Sequence, residues 1–425
     1  MQAQMDWMNI ARYFYVSDER LREISREFAA DMDKALAGDP QASLSALKSY
    51  VSLPTGKEAG RFLALDFGGT NVRAARIRLL GRHCYLIEKK VSRPLKQPGK
   101  YNYMSETTTP DELFDFLAAL VAEAAGGNKE YPLGHTFSFG ITRDNLADGR
   151  LETWAKEMAV PGVQGQYINK LLKEALERRG LTKIQPVALV NDTTALLLSA
   201  AYTSGNAQIG LVCGTGFNTC YYEPKLGMIL NMESGNYGGL HQNDWDKAVD
   251  DASLQPGFHC MEKMISGAYA AEIFRRTVMT YFHTDAIPKF TTADMNELIS
   301  TEDERDGQMK MGQLWDRIVA REDVRSLRNI GASIFVRSAQ LAGSALSGIL
   351  YHLYGTEIPP QTIAVDGSVL EHVRGALFMM EDAIQACQNT GNQNRTRQVP
   401  VEPLLIKDGP LVGGAIAAAI ATNGK

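Results

Sequence analysis

Cysteine is the first scarcity: 425 residues hold only five, Cys84, Cys213, Cys220, Cys260 and Cys387. Their odd number, wide spacing and lack of any CxxC argue against a disulfide framework and a zinc knuckle, and fit a reducing compartment. Seven histidines never pair or spell HExxH, which weighs against a histidine-bound metal. No window approaches 18 uninterrupted apolar residues, and the opening MQAQMDWMNIARYF has no basic segment leading into an apolar one. The expectation is a cytoplasmic protein with no membrane partner. Charge of one sign is also sparse: the formal net charge is −5, without long blocks, so electrostatics make no case for nucleic acid. Two common phosphate loops are missing as well. Gly56-Lys57 has no glycine five positions earlier and is followed by Glu58, so there is no P-loop, and no GxGxxG opens a helix after a strand.

What is present is a soluble globular composition, 44% apolar and 22% charged, on a chain too long for one ordinary core. Two or more domains are expected. Leu21, Ile24, Phe28, Met32 and Leu36 recur at helical spacing behind Ser17, a natural N-cap, and predict an amphipathic helix. RFLALDFGGTNVRAARIRL (61–79) reads as strand, glycine turn, strand. QIGLVCGTGFNTCYYE (208–223) repeats that grammar. Helical periodicity marks ELFDFLAALVAEAA, QYINKLLKEALERR, MEKMISGAYAAEIFRRTVMTYF (261–282), SIFVRSAQLAGSALSGILYHL and the small-residue GPLVGGAIAAAIAT; HTFSFGI (135–141), PVALV and TIAVDG read as strands, and NTGNQNRTRQ (389–398) as a polar loop. The architecture inferred is two α/β halves, each opened by a glycine-turn hairpin.

Glycine turns let backbone N–H groups approach an anion with no Cβ in the way, and Thr70, Asn71 and Thr215 add side-chain donors. Gly68-Gly69 and Gly214-Thr215-Gly216, facing each other across a cleft, would hold two ends of a polyphosphate. Either, alone, is also an ordinary hairpin turn. In PVALVNDTTALLLSA, Asn191 and Asp192 follow a strand and precede a helix. A carboxylate at a strand end suits a general base for a hydroxyl, and an aspartate before a helix equally suits an N-cap. Asp66 before the first turn reads as a turn residue, and Arg73 as a phosphate contact or an exposed strand arginine.

FLALDFGGTNVRAARI, FSFGITRDNLADGRLETWAKEM, VALVNDTTALLLSAAY, IGLVCGTGFNTCYYE, NMESGNYGG, VDDASLQPG, EKMISGAYAAEI and IAVDGSV occur in the order that resembles the eukaryotic-type hexokinases and glucokinases. LREISREFAADMDKAL and YVSLPTGKEAG resemble that family's N-terminal helix and lead-in, so the likeness spans nearly the whole chain. It implies an actin-like ATPase (ribonuclease H-like) fold, two α/β domains around a central cleft. The resemblance divides the chain into a small domain, residues 58–191 plus a C-terminal helix at about 412–425, and a large one, 1–57 and 192–411. It implies transfer of the γ-phosphoryl group of ATP to the 6-hydroxyl of a hexose, glucose foremost, with Asp192 as base and Asp66 orienting a hydrated Mg²⁺. The hexose would meet Ser138, Lys156, Asn191, Asp192, Asn218, Glu233 and Asp251. Gly367-Ser368 resembles the family's adenosine-side turn, or is a plain strand-to-helix turn.

Four departures lie on the sugar side. Gly140 replaces the proline of FSFP, Ala155 the threonine of WTKG, Ser234 follows Glu233 where EWGAFG has tryptophan, and Asp251 stands for the glutamate of VDE. Asp66, Asp192 and both glycine turns keep the family pattern. Phosphoryl transfer is therefore the firmer expectation, and glucose the weaker. A kinase for another hexose or an amino sugar, or a non-catalytic sugar and nucleotide sensor of the same fold, are the alternatives. Oligomeric state is not legible in the sequence.

Overall fold

A computed structural model describes residues 7–155, 157–388 and 400–423. Two sheets organise it. In the first, strands Ala59–Phe67, Asn71–Gly81, Cys84–Pro94, Tyr131–Phe137 and Ile184–Val190, numbered one to five along the chain, lie in spatial order 3-2-1-4-5. In the second, Ile209–Cys213, Phe217–Glu223, Met228–Asn231, Gln361–Asp366 and Val401–Leu405 take the same order, with the short strand Leu47–Lys48 added at the edge. Each sheet is thus an antiparallel meander continued by parallel strands, and each begins with the glycine-turn hairpin that the sequence predicts.

Alternation makes the first hairpin a central element. Leu63, Leu65, Phe67, Val72 and Ala74 enter one core, shared with the helix Pro110–Ala125, while Phe62, Ala64, Ala75, Ile77 and Leu79 enter another, shared with helices Asp192–Ser204 and Gly409–Asn423. Burial on both faces is what continuous apolar strands require. The helix Gly409–Asn423 reaches its neighbours through backbone. A Cβ on Gly413 would lie 1.8 Å from the Ala195 carbonyl oxygen, and one on Gly134 would lie 1.7 Å from that of Gly414. Only glycine permits that approach, which explains the small-residue sequence.

The helix Asp18–Ala37 starts as predicted: Ser17 accepts a hydrogen bond from Arg20 N at 3.2 Å, and Gly38 closes it in the left-handed region at φ 73°. Two expected elements are divided. The helix read over 261–282 is Cys260–Ile265 followed by Gly267–Phe282, with extended backbone at Ser266, because Gly267 N donates to Gly214 O at 2.7 Å instead of continuing one helix. HTFSFGI is split between Tyr131–Phe137 and a short strand Gly140–Thr142 that pairs with Arg150–Thr153. Sequence reading gives no sign of the third strand Cys84–Pro94 or of helices Thr292–Ser300, Glu304–Trp315 and Ala376–Gln388. The polar loop 389–398 lies outside the described residues. No described helix is long and apolar enough to cross a membrane.

Candidate active site

Register builds the site. Across adjacent parallel strands Asp66 pairs with Thr136, and Thr136 with Val190, so the ends Phe67, Phe137 and Val190 finish together. Asp66, Ser138 and the Asn191-Asp192 pair therefore share one sheet edge, with neighbouring strands about 4.8 Å apart. Ser138 N donates to Phe67 O at 3.2 Å, fixing the chain just beyond its strand.

The cap of the helix Asp192–Ser204 is Asn191, not Asp192. Asn191 has extended backbone (φ −74°, ψ 161°), and its Oδ1 accepts from Thr193 N at 2.9 Å and from the Thr193 hydroxyl at 2.5 Å. Asp192 is the first helical residue; its Oδ1 accepts from Thr193 N at 2.8 Å, and its side chain is half-buried. The carboxylate is thereby held in orientation without being the cap.

Arg73 is neither free nor simply exposed. Directly opposite Asp66 in the hairpin register, it places Nη2 at 2.5 Å and Nε at 2.8 Å from Asp66 Oδ2, with Asp408 at 3.6 Å. Burial works against the guanidinium charge, but Asp66, Asp408 and Asp366 outweigh it and hold Arg73 above its ordinary pKa. Asp366, at the end of Gln361–Asp366, completes the group. Burial pushes its carboxyl above the usual range; Gly367 N and Arg73 pull it down, and Asp192 and Asp66 push it up. Asp66, Asp408 and Asp366 thus converge on one arginine, and Asp192 acts on Asp366 beside them. Sequence reading missed Asp366, although AVDG copies the strand–aspartate–glycine order of ALDFGG.

Three carboxylates facing one guanidinium repel a bare triphosphate, so a divalent cation suits this edge electrostatically. Among the described residues no group of three or more His, Cys, Asp or Glu side chains is arranged to hold a metal ion directly. Asp66 already gives an oxygen to Arg73. The donor set fits a hydrated Mg²⁺ carried mainly by phosphate oxygens and water, which is how that ion is commonly bound.

The second glycine turn is nested against the Gly367-Ser368 turn. A Cβ on Gly214 would lie 3.2 Å from Ser368 N, and Gly367 has φ 116° with its own Cβ position 2.3 Å from the Cys213 carbonyl carbon. Thr215 and Ser368 both line an open cavity of about 970 Å³, walled by Tyr269, Phe290, Thr292 and Val369. The cavity abuts the turn and is sized for a nucleoside. At the first turn, Gly68, Gly69, Thr70 and Asn71 are partly or fully exposed, with Asn71 Nδ2 donating to Thr70 Oγ1 at 3.4 Å.

A third cluster surrounds Asn218. Its Nδ2 donates to Asn231 Oδ1 at 2.8 Å, its Oδ1 accepts from Thr219 N at 2.7 Å and Ser234 N at 3.2 Å, and Asn231 Nδ2 donates to Glu233 Oε1 at 2.7 Å. Glu233 sits at φ 47°, an uncommon backbone for glutamate that this network supports. Glu262 Oε2 accepts from Phe217 N at 2.9 Å, and a Cβ on Gly216 would lie 2.8 Å from that oxygen, one on Gly235 3.0 Å from the Glu262 Cβ. Neither Asn231 nor Glu262 was singled out from sequence, although EKMISG was among the matching strings.

Asp251 does not join the site. It projects from the helix Asp244–Asp251 into solvent, paired with Lys247 at 3.1 Å. A helix turns 100° per residue, so it is Asp250 that faces inward, bonded to Lys263 and to Gly257 N. Lys156 lies outside the described residues. Ala155 is exposed, Gly140 pairs with Thr153, and Ser234 is fully buried with its hydroxyl on Thr219.

A family model described as Hexokinase matches residues 6–202, and a second with the same description matches 208–420. Hexokinase-2 of Equus caballus is 33% identical over 399 residues, covering 85% of this chain and 43% of that protein, so the chain spans less than half of that relative's length. Hexokinase-5 of Oryza sativa subsp. japonica is 30% identical, with 94% of this chain and 86% of that protein covered. The solved structure of hexokinase from Schistosoma mansoni complexed with glucose superposes at a TM-score of 0.83 with 27% identity, over 97% of this chain and 98% of that one. The fold is accordingly the mixed α/β, two-domain actin-like ATPase type that the sequence led one to expect.

Proposed function

The chain belongs to the hexokinase family, and from that premise we propose that it transfers the γ-phosphoryl group of ATP to the 6-hydroxyl of a hexose, glucose first. The observation that carries this reading is the convergence of Asp66, Arg73, Asp192 and Asp366 on one edge while Asn191 takes over the helix cap. Asp192 accepts the proton of the sugar hydroxyl as its oxygen bonds to phosphorus and the bond from phosphorus to the ADP oxygen breaks. Asn191, through Thr193, keeps the first turn of that helix rigid, so the carboxylate does not have to be ordered during the reaction.

The amides of Gly68 to Asn71 and of Thr215 and Gly216 receive phosphate oxygens, with Gly214 N closing its own turn on Gly216 O at 2.9 Å, and Arg73 shares its charge between Asp66 and the incoming anion. Asp66 would orient the water shell of a bound Mg²⁺, whose charge would offset that of the phosphates. Gly367-Ser368 frames the nucleoside beside the 970 Å³ cavity. Ser138, Lys156, Asn191, Asn218 and Glu233 offer partners to the sugar hydroxyls, and Glu262 joins them. Residues 58–191 with the C-terminal helix form one closing half, and 1–57 with 192–411 the other. The seating of that helix on the Tyr131–Phe137 strand supports its place in the first half, and its approach to the Asp192–Ser204 helix joins the two halves.

The test is a coupled ADP-release assay with MgATP and a panel of hexoses and amino sugars. Turnover highest with glucose is expected. Turnover confined to another sugar revises the acceptor, and sugar binding in calorimetry without turnover on any sugar overturns the kinase reading in favour of a sensor.

A further inference from the structure

The strand Met228–Asn231 lies between two others, and at its end Asn231 stands opposite Cys220 on one side and Leu47 on the other. A backbone paired on both sides does not shift, so the side chain of Asn231 leaves from a fixed point. It is buried, while Asn218 and Glu233, the two groups it joins, are half-buried. The direction of each hydrogen bond shows what Asn231 does there.

Thr219 N at 2.7 Å and Ser234 N at 3.2 Å can only donate, so the Asn218 atom they share is the oxygen, Oδ1. Asn218 must then turn Nδ2 toward Asn231, whose facing atom must be Oδ1, at 2.8 Å. That leaves Asn231 Nδ2 to donate to Glu233 Oε1 at 2.7 Å. Two backbone amides thus dictate the orientation of two carboxamides and, through them, of a carboxylate. Reversing either carboxamide would set donor against donor and acceptor against acceptor. Ser234, next to Glu233, is tied back to the same strand by its hydroxyl on Thr219. Among the described residues, none of Asn218, Thr219, Asn231 and Ser234 has a buried polar side-chain atom without a partner. A network satisfied in this way is rigid, and it holds Glu233 in its uncommon backbone at φ 47°.

We propose that Asn231 is a positioning residue for sugar recognition: it does not itself meet the hexose, but it presents Asn218 as a donor and Glu233 as an acceptor to the sugar hydroxyls. Asn218 Nδ2 gives one hydrogen to Asn231 and keeps the other for a ligand, and a hydroxyl can accept from that N–H while it donates to the carboxylate. Groups aligned in advance need no ordering when the sugar arrives, which strengthens binding. The inference rests on the hexose reading of this cluster.

The full chain is titrated by calorimetry with the hexose it binds tightest, glucose by expectation, and with the monodeoxy analogues of that hexose. Asn231→Asp and Asn231→Leu are titrated in the same way, with urea unfolding of all three proteins. The aspartate keeps an acceptor for Asn218 and sets an oxygen against Glu233; the leucine keeps the bulk and removes both bonds. Wild type should bind at least one deoxy analogue about 10-fold or more weaker than the parent sugar, the effect of one lost hydrogen bond to a charged group. Both variants should bind the parent sugar about 10-fold or more weaker than wild type does, and their preference for it over that analogue should shrink below about threefold. KM for MgATP should stay within about twofold, because none of Asn218, Asn231 and Glu233 lines the nucleoside-sized cavity. Weakening of the parent sugar and every deoxy analogue by one common factor would mean a structural role and overturn the proposal. Wild-type discrimination in both variants, or no hexose bound by wild type, would overturn it as well. Sugar binding without turnover in wild type sinks the kinase reading alone, and the same titrations still decide the role of Asn231.

Discussion

Replacing Asp192 by asparagine separates the two roles that an acidic residue at a helix start can play. The side chain keeps its shape and an oxygen able to accept from Thr193 N, now at 2.8 Å from Oδ1, and the cap on Asn191 is untouched. Stability should fall by no more than about 1 kcal/mol, the worth of a carboxylate at a helix N-terminus. Sugar affinity should change less than about fivefold, because the amide oxygen still accepts from a hydroxyl. The proton acceptor, however, is gone, and positioned general bases contribute about 10²- to 10⁴-fold, or about 3 to 5 kcal/mol of barrier. The companion substitution Asn191→Ala should show the reverse in stability. It removes the cap, worth about 1 kcal/mol, and leaves the fully buried Thr193 hydroxyl without its acceptor, about 1 kcal/mol or more besides. Single-turnover kinetics, glucose calorimetry and urea unfolding of both variants give the readouts. Turnover of Asp192→Asn within tenfold of wild type, or a loss of stability matching that of Asn191→Ala, would refute the assignment.

Gly134→Ala should destabilise the protein by about 3 kcal/mol or more in urea unfolding, since its Cβ would meet a backbone oxygen of the C-terminal helix at 1.7 Å and neither backbone has room to retreat. Stability should also fall in acid through His135. Its imidazole is fully buried, with Nδ1 on Asn169 Oδ1 at 3.0 Å, and burial lowers its pKa from 6.5 to about 4. The unfolded chain binds this proton more readily than the folded one between those values, so stability declines by about 3 kcal/mol as pH falls from 6.5 to 4. His135→Gln should flatten that slope in pH-dependent unfolding. Ala155→Thr should tighten glucose binding by about 2- to 10-fold in calorimetry if the absent hydroxyl limits the pocket, the range set by one added hydrogen bond; unchanged affinity would show that the pocket has already compensated.

The local elements were readable because their causes are local. Period-two burial and glycine turns specify the hairpins at 59–81 and 209–223, and Ser17 with Leu21, Ile24, Phe28 and Met32 specifies a capped helix, all within a few neighbouring residues. The chain order of the eight matching strings was likewise sufficient for the family. Nothing in the sequence, however, states which atom of one segment meets which atom of another. Asp250 and Asp251 differ only by a helical rotation whose phase is set by Lys263, thirteen residues on; that phase buries the first and leaves the second in solvent. Arg73 became a partner of Asp66 through hairpin register, and Asp366 joined Asp192 only when two sheets built from distant segments came together. Sequence by itself determined the repeated α/β halves, their glycine turns and the carboxylate after the strand. Tertiary packing decided which carboxylates come together and which residue caps the helix, because charge and hydrogen-bond geometry depend on distances through space that spacing along the chain does not fix.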